Sequence, residues 1–342
     1  MPTVSVVSVE DNTIEEALNR AIDMIDGDQA IRDRKMVAIK PNLCTPKSAS
    51  SGTTTDPRIV GALIRKVNSL TACQINIVET DNAQTNADET FRRLGYRDLC
   101  ERYENVRCVN LSKDRKVRVH LDGDILRSIL VPESMIFCDC LISVAKLKTH
   151  VDYRYTGVLK NQYGLLLSRA KRVQYHGFMS KVIADLNRFY RPDLSIVDGL
   201  VGMEGFGPID GTPKHVGTLI ASMDPVAADA VGAQLIGIPP SSVKYLRYAE
   251  KKGIGTTRDL RVVGCDLAHV ATSFASIPSR YSWLSGIALA LGRYSAYVNN
   301  VAEVVRLARS ALSTVGFSEL QRRMSYVALS RLALDTIFRL EE

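Results

Sequence analysis

The amino-acid sequence predicts an α/β protein: two doubly wound, mainly parallel α/β units facing a central cleft, followed by a C-terminal all-helical appendage. Three observations carry this expectation. The first third alternates β-rich apolar runs with helical periodicity in a βαβαβα succession, the pattern of a parallel sheet with crossover helices. That alternation resumes after a short strand-only stretch, and the 342 residues exceed the roughly 250–300 at which one core stops growing. Towards the end of the chain only helical periodicity is left. We therefore expect one unit at residues 1–135 with a short β insertion near its end, a second at 136–270 carrying the motifs KLKTH and DPVAAD, and the appendage at 271–342.

Each element has a local reason. Residues 3–9 form a β-rich run, and Asp11 or Asn12 can cap a helix in which Ile14, Leu18, Ala21 and Ile25 recur at helical spacing. Residues 36–42 make a buried strand that ends in a polar loop at 48–55. Asp56-Pro57 opens a helix, with aspartate as N-cap and proline in the first turn. A strand at 75–80 and a helix at 88–103 follow, and short strands near 117–121 with the turn Asp122-Gly123-Asp124 make an antiparallel insertion. In the second unit the expected order is a strand at 140–148, a helix at 179–190 stopped by Arg191-Pro192, a strand at 194–199, a loop at 203–208 and a strand at 216–221. Asp224-Pro225 then starts a helix, another spans 243–252, and a last strand lies at 260–263. In the appendage, Leu320, Met324 and Val327 share a helical stripe flanked by Arg322, Arg323, Arg331 and Arg339. That stripe suits packing on the α/β body or a homo-oligomer contact better than a membrane surface, because apolar residues also occur off it.

Hydrophobic content of 46% and charged content of 24% are ordinary globular values. The net charge of +7 fits a small anionic ligand, or a nucleic acid, although no basic block of five or six occurs. Only residues 169–172 with Tyr175 interleave basic and aromatic groups, so nucleic acid is the less favoured partner. No basic-then-apolar leader opens the chain and no transmembrane segment is evident, which points to the cytoplasm. The seven cysteines are odd in number and scattered; reduced, buried thiols are the expectation. Cys138-Asp139-Cys140 could in principle join Cys44 at a metal, but no ferredoxin-type cluster motif exists.

The chemistry-bearing residues gather at strand ends. If the strand of residues 140–148 continues, its period of two puts Lys146, Lys148 and His150 on one face. Gly157 and Gly164 bracket Lys160-Asn161, and His176 closes the stretch. Lys40, Asn42, Asp56, Glu79 and Asp81 follow strands of the first unit, while Asp198, Glu204, Asp224 and Asp229 come from the second. In a doubly wound sheet such positions face the ligand crevice. Asp56 and Asp224 have a sufficient explanation as N-caps. Acids beside buried lysines are either structural ion pairs or the proton-affinity shifts of a catalytic site. The loop at 48–55, with Gly52 and three threonines before a helix start, suits a phosphate or carboxylate. Neither a P-loop nor a dinucleotide fingerprint is present.

The succession IKPNL, TDP, KLKTH, GVLKNQYGLL, IVDG, EGFGP, DPVAADAVGA and GIG resembles the domain of unknown function 362 family in order and over most of the chain. Residues 139–176 are also similar to the core of the nickel-pincer lactate racemase family. That resemblance implies an acid/base histidine at His150, a lysine that carries the pincer nucleotide at Lys160 and a nickel ligand at His176. Where those racemases have a second acid/base histidine, this chain has Glu79-Thr80-Asp81, and Thr156-Gly157-Val158-Leu159 replaces their glycine-rich run. The sequence reading is thus a cytoplasmic acid/base enzyme, racemase- or isomerase-like, for a small carboxylate- or phosphate-bearing substrate. His150, Lys160, Glu79 and Asp81 would be catalytic. Lys40, Asn42, Asp56, Lys146, Lys148, Asn161, Asp198, Glu204, Asp224 and Asp229 would bind ligand, with a nickel-pincer nucleotide admitted by resemblance. A noncatalytic RNA- or protein-binding scaffold and a metal or iron-sulfur redox protein are the alternatives.

Overall fold

The computed structural model describes residues 1–9, 14–82, 85–168, 172 and 174–275. The expected caps Asp11 and Asn12, residues 169–171, and the appendage beyond residue 275 lie outside them. Two compact units emerge, one made of Met1–Leu167 with Ser180–Ser276, the other of Ser168–Met179 with Ile277–Glu342.

The first unit is built on one mixed sheet. Its strands are β1 (Thr3–Ser8), β2 (Met36–Pro41), β3 (Gln74–Glu79), β4 (Val106–Asn110), β7 (Cys140–His150), β8 (Arg154–Thr156), β9 (Leu194–Glu204), β10 (Thr212–Ser222) and β11 (Arg261–Gly264); β5 (Lys116–His120) and β6 (Ser128–Pro132) pair separately. The order is β11-β1-β10-β9-β7-β2-β3-β4, with β8 attached to β7. Along that path only β10 runs against its neighbours. The fold is α/β and mainly parallel, and strands expected of both α/β units share this sheet. The carboxyl ends of β3, β2, β7 and β9 lie in one row, the edge at which doubly wound sheets bind ligands.

The core explains the strand pairing. Val37 and Ile39, Ile75 and Ile77, Ile142 and Val144, and Leu194 and Ile196 line up across four strands and join Leu18, Ile22, Ile59 and Leu63 of the helices Ile14–Asp23 and Pro57–Leu70 in one cluster. Every residue of β7 is buried, as a central strand covered on both faces requires. The helix Pro225–Leu235 is buried nearly all round, so it lacks the one-sided stripe of a surface helix. The helix expected at 88–103 is two helices, Ala87–Arg93 and Tyr96–Cys100. Gly95 stands between them at φ 75°, a left-handed conformation that stops a helix and suits glycine.

Both β9 and β10 run longer than their apolar cores suggest. They form a hairpin in which Thr212 pairs with Glu204, so Glu204, expected in a loop, closes a strand instead. The antiparallel β5–β6 ribbon is the expected insertion. Among the described residues no helix is long and apolar enough to cross a membrane.

Candidate functional site

Three lysines at the carboxyl edge are buried, and each needs a partner because an uncompensated buried charge costs several kcal/mol. Lys40, at the end of β2, places Nζ 2.7 Å from Glu79 Oε2 and donates to the carbonyl of Pro41 at 2.8 Å and to Asn161 Oδ1 at 3.3 Å. Glu79 also accepts from the backbone N–H groups of Leu43 and Thr80. Asn161 donates to the Lys40 carbonyl and to Ser143 Oγ, and the Thr80 hydroxyl donates to the Gly164 carbonyl. The segment 160–164 is thereby bonded to the ends of β2 and β3 and to the first half of β7.

The second lysine, Lys146, pairs with Asp198 at 2.8 Å, and both side chains are fully buried. The two residues face each other in the parallel β7–β9 register. Asp198 completes its acceptor set with the N–H groups of Asp56 and Leu200. This ion pair ties the start of the helix Pro57–Leu70 to the sheet.

Lys148 differs from both. It is fully buried, yet among the described residues no carboxylate pairs with it. Its ammonium donates to the carbonyl of Thr53 at 2.6 Å, to Asn42 Oδ1 at 3.2 Å and to the carbonyl of Pro208 at 3.3 Å, with Cys44 Sγ at 3.5 Å. Burial holds its proton affinity below the ordinary lysine value, and Lys146 and Lys40 push the same way while Cys44 opposes. Among the described residues its partners are two carbonyls, an amide oxygen and a thiol.

His150 ends β7 and is buried. Its Nδ1 accepts the Asp152 N–H at 3.1 Å, and its ring meets Tyr153 edge to face with centroids 5.3 Å apart. With Nδ1 an acceptor, the neutral ring carries its proton on Nε2. Lys160 stands partly exposed on the one-turn helix Val158–Asn161.

The remaining acids have structural partners. Asp56 caps its helix through the Arg58 N–H and pairs with the Arg58 guanidinium. Asp224 caps through the N–H groups of Val226 and Ala227, and burial raises its carboxyl above the usual range. Asp81 accepts from the Ala87 N–H and from Asn110 Nδ2. Glu204 accepts from the Ala275 N–H and from Lys214, contacts that hold its carboxyl below the usual range against a smaller effect of burial. Asp229 is fully buried in the helix Pro225–Leu235 and accepts the N–H groups of Val158 and Leu159 at 2.6 and 3.0 Å. Burial pushes it up to about 7, against the pull of those two N–H groups and of Tyr155.

The threonine loop is turned inward. Thr54 Oγ1 donates to the Lys47 carbonyl, Thr55 Oγ1 to the Val144 carbonyl, and Thr53 Oγ1 accepts from Ser51. All three threonines are buried, so their hydroxyls serve packing. Gly52 sits at φ 71°, and a Cβ there would lie 2.2 Å from the Gly202 carbonyl oxygen; close backbone approach explains this glycine.

The structure thus brings Lys40, Glu79 and Asn161 together, and separately Lys146, Asp198 and Asp56. It puts Asn42 with Lys148, while Asp81, Glu204 and Asp224 serve other elements. Three members of the Lys148 shell escaped the sequence reading: the carbonyls of Thr53 and Pro208, which have no side-chain signature, and Cys44. His176 begins the short 3-10 turn His176–Phe178, within the part of the chain assigned to the second unit. Lys160 and His176 are of the residue types that a pincer nucleotide and nickel need. Among the described residues no three His, Cys, Asp or Glu side chains gather as a metal set. Cys138 donates to the Cys140 carbonyl, and burial pushes its thiol up to about 11.

Comparison with known proteins adds three findings. A family model described as Domain of unknown function (DUF362) matches residues 37–234. The Thylakoid-associated protein sll1697 of Synechocystis sp. (strain ATCC 27184 / PCC 6803 / Kazusa) is 28% identical over 231 residues, which are 65% of this chain and 69% of that protein. The lactate racemase apoprotein from Thermoanaerobacterium thermosaccharolyticum superposes with a TM-score of 0.38 at 13% identity, over 62% of this chain and 54% of that one. The chain therefore spans about half the length of that racemase.

Proposed function

The chain belongs to the DUF362 family, and on that premise we propose that it is an acid/base enzyme for a small carboxylate- or phosphate-bearing substrate held at the carboxyl edge of β2, β3, β7 and β9. The observation that carries this reading is Lys148, fully buried and, among the described residues, without a carboxylate partner. Its hydrogens already point at Thr53, Asn42 and Pro208, so it acts through its field, favouring an anion nearby, and not by contact. His150 stands two residues further along the same face, about 7 Å away at the rise of a strand. With its proton on Nε2 it serves as the acid, or as a donor to the oxygen on which charge develops. Lys160 is the cation that touches the substrate, positioned by the bonds of Asn161 to β2 and β7. Glu79 is held by Lys40, which keeps the 160–164 segment in register. A cytoplasmic setting belongs to the same reading.

Exchange in heavy water tests it. Lactate, malate and 3-phosphoglycerate are incubated with the protein, and the α-proton signal of each is followed by proton magnetic resonance. We expect the signal of at least one acid to fade, with a loss of ~100-fold or more in rate for His150→Gln, the range of a general acid, while circular dichroism stays unchanged. Undiminished exchange in that variant, or none by the wild-type protein with any of the three, would sink the reading.

A further inference from the structure

The outer edge of the sheet holds a pair of thiols, one in the core and one packed against it, that the proposed chemistry does not use. Strand β4 is the terminal strand, and the helix Tyr96–Cys100 packs beside it. Cys100 ends that helix and Cys108 sits at the middle of β4, with their sulfurs 2.7 Å apart. That separation is only slightly wider than the ~2.05 Å of a disulfide bond, so bonding needs little backbone movement. Access and polarity are unequal across the pair. Cys108 is partly exposed, whereas Cys100 is buried. The S–H of Cys108 and the Arg97 guanidinium lower the proton affinity of Cys100, while Cys108 is pushed up by its contact with Cys100 and by burial.

We propose that Cys100 and Cys108 form a redox-active dithiol that a small peroxide converts to a reversible intramolecular disulfide. One of the two sulfurs, as its thiolate, attacks one peroxide oxygen, the O–O bond breaks, hydroxide leaves, and that cysteine carries a sulfenic acid. The other sulfur then attacks it, the S–O bond breaks, and the departing hydroxide takes the second thiol's proton as water. Overall two thiols lose two electrons and two protons, and one peroxide becomes two waters. The new bond staples the helix Tyr96–Cys100 to β4. Through Tyr96, whose hydroxyl donates to the Thr55 carbonyl at 3.1 Å, the stapled helix also braces the loop that enters the Lys148 shell.

The test uses the full chain, reduced and then treated with equimolar hydrogen peroxide in its folded state. Remaining thiols are capped with N-ethylmaleimide in denaturant before trypsin digestion. We expect the peptide of residues 98–102, DLCER, linked to that of residues 108–113, CVNLSK, with the link lost on adding dithiothreitol. The thermal midpoint should rise on oxidation in the wild-type protein and stay constant in Cys108→Ser, with Cys100→Ser as the second variant should the first disturb folding. In Cys108→Ser, Cys100 should instead advance to the sulfinic acid. Both thiols capped by maleimide after the peroxide is consumed would overturn the proposal, as would a link that forms only in urea.

Discussion

At the scale of single residues, the chemistry of this protein turns on how each buried cation is compensated. Lys146 and Asp198 sit opposite one another in register, wholly removed from water, and removing one partner leaves the other charged and unpaired. Asp198→Asn and Lys146→Met should each lower stability by about 3–5 kcal/mol, read as a shift of the urea midpoint. The double variant should lose less than the sum of the two, since it leaves no buried ion behind. Strict additivity would mean that the pair is not coupled. Among the described residues Lys148 has no such carboxylate, so its proposed role lies in the field of its charge and not in the stability of an ion pair.

At the scale of elements, the helix Val158–Asn161 is too short to hold itself together and depends on Asp229 from another helix. A Cβ at Gly157 would lie 2.0 Å from Asp229 Oδ1, so glycine is what lets the carboxylate reach the first turn. The folded carboxyl is pushed from 3.8 up to about 7. The folded protein therefore holds this proton more tightly than the unfolded chain, and the contribution of Asp229 to stability falls as pH rises from about 4 to 7. Urea midpoints across that window should show this decline in the wild-type protein and a flatter profile in Asp229→Asn. The same variant should be less stable at pH 5 by about 1–3 kcal/mol, because an amide NH₂ cannot accept one of the two N–H bonds. Identical slopes for the two proteins would refute the assignment.

At the scale of the whole first unit, the sheet order sets where motion is allowed. The strand β7 is buried along its length and hydrogen-bonded on both sides, whereas β5 pairs with β6 alone and exposes Lys116, Val117, Arg118 and His120. Local opening needs little energy where few apolar contacts break. Hydrogen exchange followed by mass spectrometry should find the slowest amides in β2, β7 and β9 and the fastest strand amides in β5. Comparable rates in the ribbon and in β7 would contradict this account of the core.

Much of this molecule could be read from residue types and spacing alone. The alternation of apolar runs and helical periods gave the α/β class. The N-caps at Asp56 and Asp224 were legible because an aspartate followed by proline has a local meaning. The strand of residues 140–148 was legible from its apolar run, and it continues to His150. Which partner each buried lysine meets was decided by the tertiary structure alone. The pairing of Lys146 with Asp198 follows from the β7–β9 register, and that of Lys40 with Glu79 from the adjacency of β2 and β3. Half of the shell of Lys148 consists of backbone carbonyls, groups that every residue possesses and no sequence pattern marks. Sharing one face of a strand places charges near one another, but compensation is a matter of a few ångströms between segments far apart in the chain, and only folding sets those distances.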